Sequence, residues 1–228
     1  MFVIALLILL SAPFGLPTAG HYEERAQGRG TQKPAPAPTP PTRSGFFTST
    51  LPEAELRNKQ AVLDTTLGTI VIDLLPDAAP NHVAHFITRA REGAYDGTTF
   101  HRVVTNGIIQ GGDPLSKDPG QAAKYGTGGL NELRFEANRE KHTRGAVSAV
   151  LVPGNRDSAG SQFFISVTDQ PALDGQYSVF GQVTKGMDVA DKIVSAKTGG
   201  QDRPLQPTSI EKIVIREATA DEKGPTPK

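Results

Sequence analysis

The 228-residue chain has no cysteine and no tryptophan. Without thiols there are no disulfides, thiolate metal sites or cysteine nucleophiles, and cysteine usage says nothing about compartment. Charge of one sign is also missing, because 24 basic and 24 acidic residues sum to zero. No long-range field therefore draws nucleic acid or an anionic membrane surface, and no basic stripe interleaved with aromatics occurs. No nucleic-acid partner is expected. A hydrophobic content of 37% over 228 residues supports one well-buried domain with extensions and does not demand a second.

The extensions come first. Residues 1–20 open with an apolar run from Phe2 that continues weakly to Leu16. That length suits a signal-peptide core better than a membrane span of about 20 residues. An exported protein, periplasmic or secreted, is the expectation, tethered to a membrane through residues 2–16 if the segment stays uncleaved. No Lys or Arg precedes the run, and Pro17-Thr18-Ala19 is a poor cleavage site. Residues 21–58 read as a linker: Pro34, Pro36, Pro38, Pro40 and Pro41 favour extended polyproline II with nothing to bury. The folded domain is expected over 59–217 and a flexible tail over 218–228.

Within that domain the apolar period alternates between two and 3.6. Ala61 to Asp64 and Gly68 to Leu75 read as a hairpin whose second strand alternates Ile70, Ile72 and Leu74. Pro80 fits a first helical turn, after which Val83, Phe86, Ile87 and Ala90 form one stripe before Gly93. Residues 114–131 read as a long glycine-containing loop. Gly145 to Ala149, Ser161 to Ser166, Tyr177 to Val183 and Ile210 to Arg216 read as further strands. A second helix is expected from about Asp188, as N-cap, through Val194. Many strands with only two helices predict a mainly β fold, an antiparallel barrel closed at its ends.

The stretch from Phe100 to Asp113 (FHRVVTNGIIQGGD) reads as strand, turn, strand, with a single arginine in an otherwise apolar run. Alternation puts Phe100, Arg102 and Val104 on one face and His101 and Val103 on the other. On the return strand Ile108 and Gln110 oppose Ile109. Arg102, Ile108 and Gln110 can then share a groove. On these residues alone Arg102 is equally a solvated edge charge. His82 and His85 stand three apart, but with no third ligand in a metal-binding pattern no metal site is expected.

Over roughly residues 59–217 the chain resembles the cyclophilin family of peptidyl-prolyl cis-trans isomerases. Six collinear segments carry the resemblance: GTIVIDLLPDAAP (68–80), YDGTTFHRVV (95–104), IIQGGDP (108–114), GTGG (126–129), SAGSQFFI (158–165) and LDG to SVFGQV (173–183). The resemblance implies a closed eight-stranded antiparallel barrel capped by two helices, with the site in a groove on its outer face. Arg102 falls on the catalytic arginine. Phe100, Ile108, Gln110, Gln162, Phe164, Leu173 and Tyr177 are expected to bind substrate, and Thr127 and Gly128 to border a second pocket. His101 is expected to be structural, facing away from Arg102. The family's pocket phenylalanine is replaced by Gly107, and the tryptophan associated with strong cyclosporin binding aligns with Ala172, so weak inhibition by that drug is expected.

The chemistry so implied needs no cofactor or metal. Rotation about X-Pro meets a barrier of ~20 kcal/mol set by amide resonance. A donor to the prolyl nitrogen withdraws its lone pair from conjugation, and a guanidinium, permanently charged and planar, suits that role. The expected function is isomerisation of X-Pro bonds in exported, proline-containing polypeptides, by a monomer. A catalytically weak proline-binding chaperone or scaffold is the alternative, which Gly107 favours.

Overall fold

The computed structural model describes residues 45–219. The apolar leader, most of the proline-rich linker and residues 220–228 lie outside the described residues. Among the described residues no helix is long and apolar enough to cross a membrane.

Eight strands form one antiparallel sheet: β1 (Lys59–Thr65), β2 (Gly68–Leu74), β3 (Arg102–Val103), β4 (Ile108–Gly111), β5 (Ala146–Ala149), β6 (Phe163–Ser166), β7 (Val179–Lys185) and β8 (Ile210–Glu217). Their spatial order is β3-β4-β6-β5-β7-β2-β1-β8. The inner face is built by alternation. Ala61, Leu63, Ile70 and Ile72 from the first hairpin are wholly buried, and Val147, Ile109 and Ile165 join them in one apolar cluster. Removing such side chains from water is the main stabilising contribution, roughly 1.5–3 kcal/mol for each large aliphatic residue.

Among the described residues three α-helices accompany the sheet: α1 (Glu53–Leu56), α2 (Pro80–Arg91) and α3 (Met187–Val194). The expected stripe of α2 is its buried face. Phe86 meets Tyr95, Phe163 and Phe180 at ring-centroid distances of 5.0, 5.8 and 5.4 Å. Helix α3 buries Val189, Ala190 and Ile193 and starts two residues earlier than an Asp188 cap implies. Its N-cap is Gly186 rather than Asp188, with φ of 85°. A Cβ there would sit 2.2 Å from the Thr69 carbonyl oxygen, so only glycine fits. Asp188 lies in the first turn, where a carboxylate complements the positive helix end.

Three further expectations are corrected. The barrel is a curled half-barrel, not a closed one, because β3 and β8 are edges of the ladder. The two edges are stitched near their ends: the Phe100 N–H donates to Thr208 O (2.9 Å), the Ile210 N–H to Thr98 O (2.7 Å) and the Gly97 N–H to Ile210 O (2.8 Å). β3 has two residues and, among the described strands, pairs with β4.

The expected linker also ends before residue 58. The Phe47 N–H donates to Glu132 O (2.8 Å), the Phe47 ring meets His85 edge-on at 5.1 Å, and Ser49 N–H donates to Asn81 Oδ1 (2.9 Å). Phe47 and Leu51 pack on the core, and α1 follows as a short helix with Leu56 buried. Finally, the long loop after β4 holds two 3-10 turns, Pro114–Lys117 and Pro119–Lys124. Each is capped by the aspartate before it, Asp113 and Asp118 accepting from Leu115 N and Gly120 N.

Candidate active site

Register across β3, β4, β6 and β5 sorts the groove from the core. Val103 pairs with Ile109, Ile109 with Ile165 and Ile165 with Val147, and all four belong to the core. The adjacent row therefore faces outward: Arg102 opposite Gln110, Gln110 opposite Phe164, Phe164 opposite Ser148. Arg102 is 43% exposed, whereas Gln110 and Phe164 are nearly buried within this outer layer. Ile108, two residues from Gln110, is half-buried on the same face.

Two site expectations fail, for a single reason. Phe100 is fully buried, packed edge-on against Phe163 at 6.1 Å in the core, so it lines no groove. His101, expected to face away, lines a recess together with Arg102. The His101 N–H donates to Gln110 O (3.0 Å) although Gln110 is the pairing partner of Arg102, so two residues oppose one. That is a β-bulge, and it breaks the strict alternation on which the sequence reading relied. His101 is 4% exposed, and burial holds its pKa below the usual histidine value, against the opposing pull of the Asp113 carboxylate.

Amides fix the middle of the groove. Gln110 Nε2 donates to Gln162 Oε1 (2.9 Å), and Gln162 Nε2 donates to Gly128 O (2.7 Å). A Cβ on Gly128 would stand 2.3 Å from Asp113 Oδ1, so the loop can approach this closely only with glycine. Asp113 also accepts from Gly126 N (2.5 Å), tying the GTGG loop to the end of β4. Thr127 is exposed on that loop.

Phe164 supplies an apolar wall. His142 stacks on it at 5.9 Å and 16°, and Tyr177 meets it at 5.4 Å and 90°. Leu173 is half-buried at the end of a 3-10 turn, Pro171–Leu173. The next residue, Asp174, accepts from His142 N (2.9 Å) and lies within 3.1 Å of its Nδ1. Burial lowers the pKa of His142, with Asp174 opposing, while the His142 backbone N–H holds Asp174 down to about 2. His142 escaped the sequence reading; its position between Lys141 and Thr143 carries no periodic signal.

Gly107 lies in the tight turn after β3, where its N–H donates to Val104 O (2.9 Å) and its carbonyl accepts from Val167 N (2.9 Å). A Cβ there would meet Val104 Cγ1 at 3.0 Å. Ala172 is exposed.

At the outer edge of β3 a recess of about 330 Å³ opens between His101, Arg102, Gln110, Tyr125 and Gly126 on one side and residues 201–203 on the other. Arg102 Nη2 donates to Asp202 Oδ2 at 3.2 Å, and the Arg203 guanidinium lies 5.5 Å over the Tyr125 ring. These loop residues were also missed, because 100 positions separate Arg102 from Asp202.

An arginine beside amides and an aromatic wall, on the outer face of a curled antiparallel half-barrel, places the chain among the cyclophilin-type folds. The chain belongs to the cyclophilin family of peptidyl-prolyl cis-trans isomerases. Residues 61–215 match the family model described as cyclophilin type peptidyl-prolyl cis-trans isomerase/CLD.

Among its relatives is peptidyl-prolyl cis-trans isomerase ppi1 of Schizosaccharomyces pombe, 37% identical over 152 residues that cover 67% of this chain and 96% of that protein. Peptidyl-prolyl cis-trans isomerase 9 of the same organism is 39% identical over 165 residues, 70% of this chain but only 26% of that longer protein. Among solved structures, a Cryptosporidium parvum cyclophilin type isomerase crystallised in the presence of the dipeptide Ala-Pro superposes with a TM-score of 0.62 at 26% identity. That match covers 69% of this chain and 98% of that one.

Proposed function

We propose that this chain accelerates rotation about X-Pro bonds in exported polypeptides, with Arg102 as the catalytic residue. The observation that carries the reading is the outward row Arg102, Gln110, Phe164, which sets a permanent cation two strands from an apolar wall. A prolyl ring resting against Phe164 and Tyr177 leaves its nitrogen toward the arginine side. Donation from the guanidinium to that nitrogen removes the lone pair from amide resonance, and Gln110 and Gln162 hold the backbone through hydrogen bonds. No bond breaks, so no nucleophile or base is called upon; the groove need only favour the twisted amide over both planar forms. Lowering the barrier by about 7 kcal/mol gives an acceleration on the order of 10⁵.

Exchange spectroscopy on a proline peptide tests this directly. Activity should collapse in Arg102→Ala while peptide binding survives, and equal isomerisation rates in both proteins would refute it. The replacement of a pocket phenylalanine by Gly107 favours a second reading, a proline-binding chaperone that grips without accelerating rotation; wild-type binding without catalysis would select it. The apolar run at residues 2–16 supports export with cleavage or anchoring there, to be settled by fractionation and N-terminal sequencing of the mature protein. A monomer is proposed as the active form, which light scattering would check.

A further inference from the structure

The Arg102 guanidinium stands at the sheet edge, 43% exposed, on a side chain with several rotatable bonds. Left alone it would sample many rotamers and hold a useful orientation only part of the time. What holds it is Asp202, and the loop carrying Asp202 is built to do so. Gln201 and Asp202 both adopt left-handed backbone, with φ of 61° and 55°, a conformation that non-glycine residues take up at a cost. Two such residues in succession persist only where their surroundings enforce them.

Here the enforcement is visible. The Gly199 N–H donates to Arg203 O (2.7 Å), the Leu205 N–H to Lys197 O (2.8 Å), and Arg203 is laid over Tyr125. The loop is thus closed at its base and pinned to the other wall of the recess.

We infer that Asp202 is the positioning residue for Arg102, an inference that rests on the catalytic reading of Arg102 given above. Geometry separates positioning from blocking. β3 is the edge strand, and the Asp202 loop packs on it from outside, whereas Phe164 lies two strands inward on β6. The recess that Asp202 lines includes Arg102 and Gln110 but not Phe164, so the carboxylate does not occupy the apolar wall. It engages one nitrogen, Nη2, of a fork with five N–H donors, leaving other donors for the prolyl nitrogen. A carboxylate at one edge of a planar cation fixes its plane, so the donor is in place before substrate arrives.

The decisive variants are Asp202→Gly and Asp202→Asn in the full chain. Glycine removes the carboxylate yet adopts left-handed backbone freely, so loss of activity cannot be ascribed to added strain. Asparagine keeps an acceptor oxygen without the charge. In exchange measurements at saturating proline peptide, the glycine variant should lose about fivefold in kcat with KM little changed, as for an ion pair of roughly 1 kcal/mol, and the asparagine variant should fall between. In an Arg102→Ala background the same glycine change should alter activity no further, which a purely structural role for the loop would not produce.

A kcat for Asp202→Gly at or above the wild-type value overturns the inference, as does an equal loss with and without Arg102. Should the glycine variant loosen the loop, seen as fast amide exchange at Gly199 and Leu205, Asp202→Asn decides alone. Full activity in Arg102→Ala would instead refute the catalytic reading itself.

Discussion

Replacing Gln162 by methionine tests whether the amide relay holds the groove together. Gln162 is fully buried and serves two partners, accepting from Gln110 at 2.9 Å and donating to Gly128 O at 2.7 Å. Methionine keeps an unbranched side chain of similar volume and removes both hydrogen-bonding atoms. The two abandoned partners differ. Gln110 is 7% exposed, so its amide loses its acceptor in a place water reaches poorly, at about 1–3 kcal/mol. The Gly128 carbonyl is half-buried and can turn to water, leaving about 0.5–1 kcal/mol for the lost bond.

The sum is a destabilisation of about 1.5–4 kcal/mol, read as a fall in urea midpoint at unchanged m-value. Isomerase activity under native conditions should decline less than in Arg102→Ala, because the guanidinium stays in place. A change below about 0.5 kcal/mol, the ordinary range for an uninvolved surface site, would show that the relay contributes nothing and refute the reasoning.

Restoring an aromatic with Gly107→Phe should tighten binding of proline peptides several-fold, provided Val104 yields by a few tenths of an ångström; calorimetric titration with unchanged affinity would mean the pocket does not reach that turn. Glu132, which accepts from His85 and from Arg89, has its pKa lowered to about 2, chiefly by the His85 bond. A depressed folded-state pKa contributes stability that is present above the unfolded value, about 4.3, and lost as pH falls toward 2. Glu132→Gln should flatten the acid unfolding profile across that window, and a profile parallel to wild type would contradict it. Phe47→Ala should cost about 1–3 kcal/mol in thermal or urea unfolding, less than a full core truncation because Phe47 is only partly buried; no change would mean residues 45–51 merely rest on the domain.

Much of this protein was already written along the chain. The alternation of Ile70, Ile72 and Leu74 and the spacing of Val83, Phe86, Ile87 and Ala90 specify a strand and a helix wherever they fold, since side-chain period follows from local geometry. Gln162 and Phe164 on one face, Phe163 and Ile165 on the other, followed from the same rule and match the observed division between groove and core. The collinear motifs were enough to indicate the family.

Tertiary structure alone decided where that rule stops. A bulge at His101 turns Phe100 into the core and brings His101 to the side of Arg102, and no period of two announces an extra residue. Residues 45–58 look like linker by composition yet are held by bonds to Glu132 and Asn81 far along the chain. The setting of Arg102 was least legible of all. Its partner Asp202 lies across a loop whose left-handed backbone and pinned base exist only once the sheet has curled, because contacts between distant segments are fixed by packing rather than by local preference.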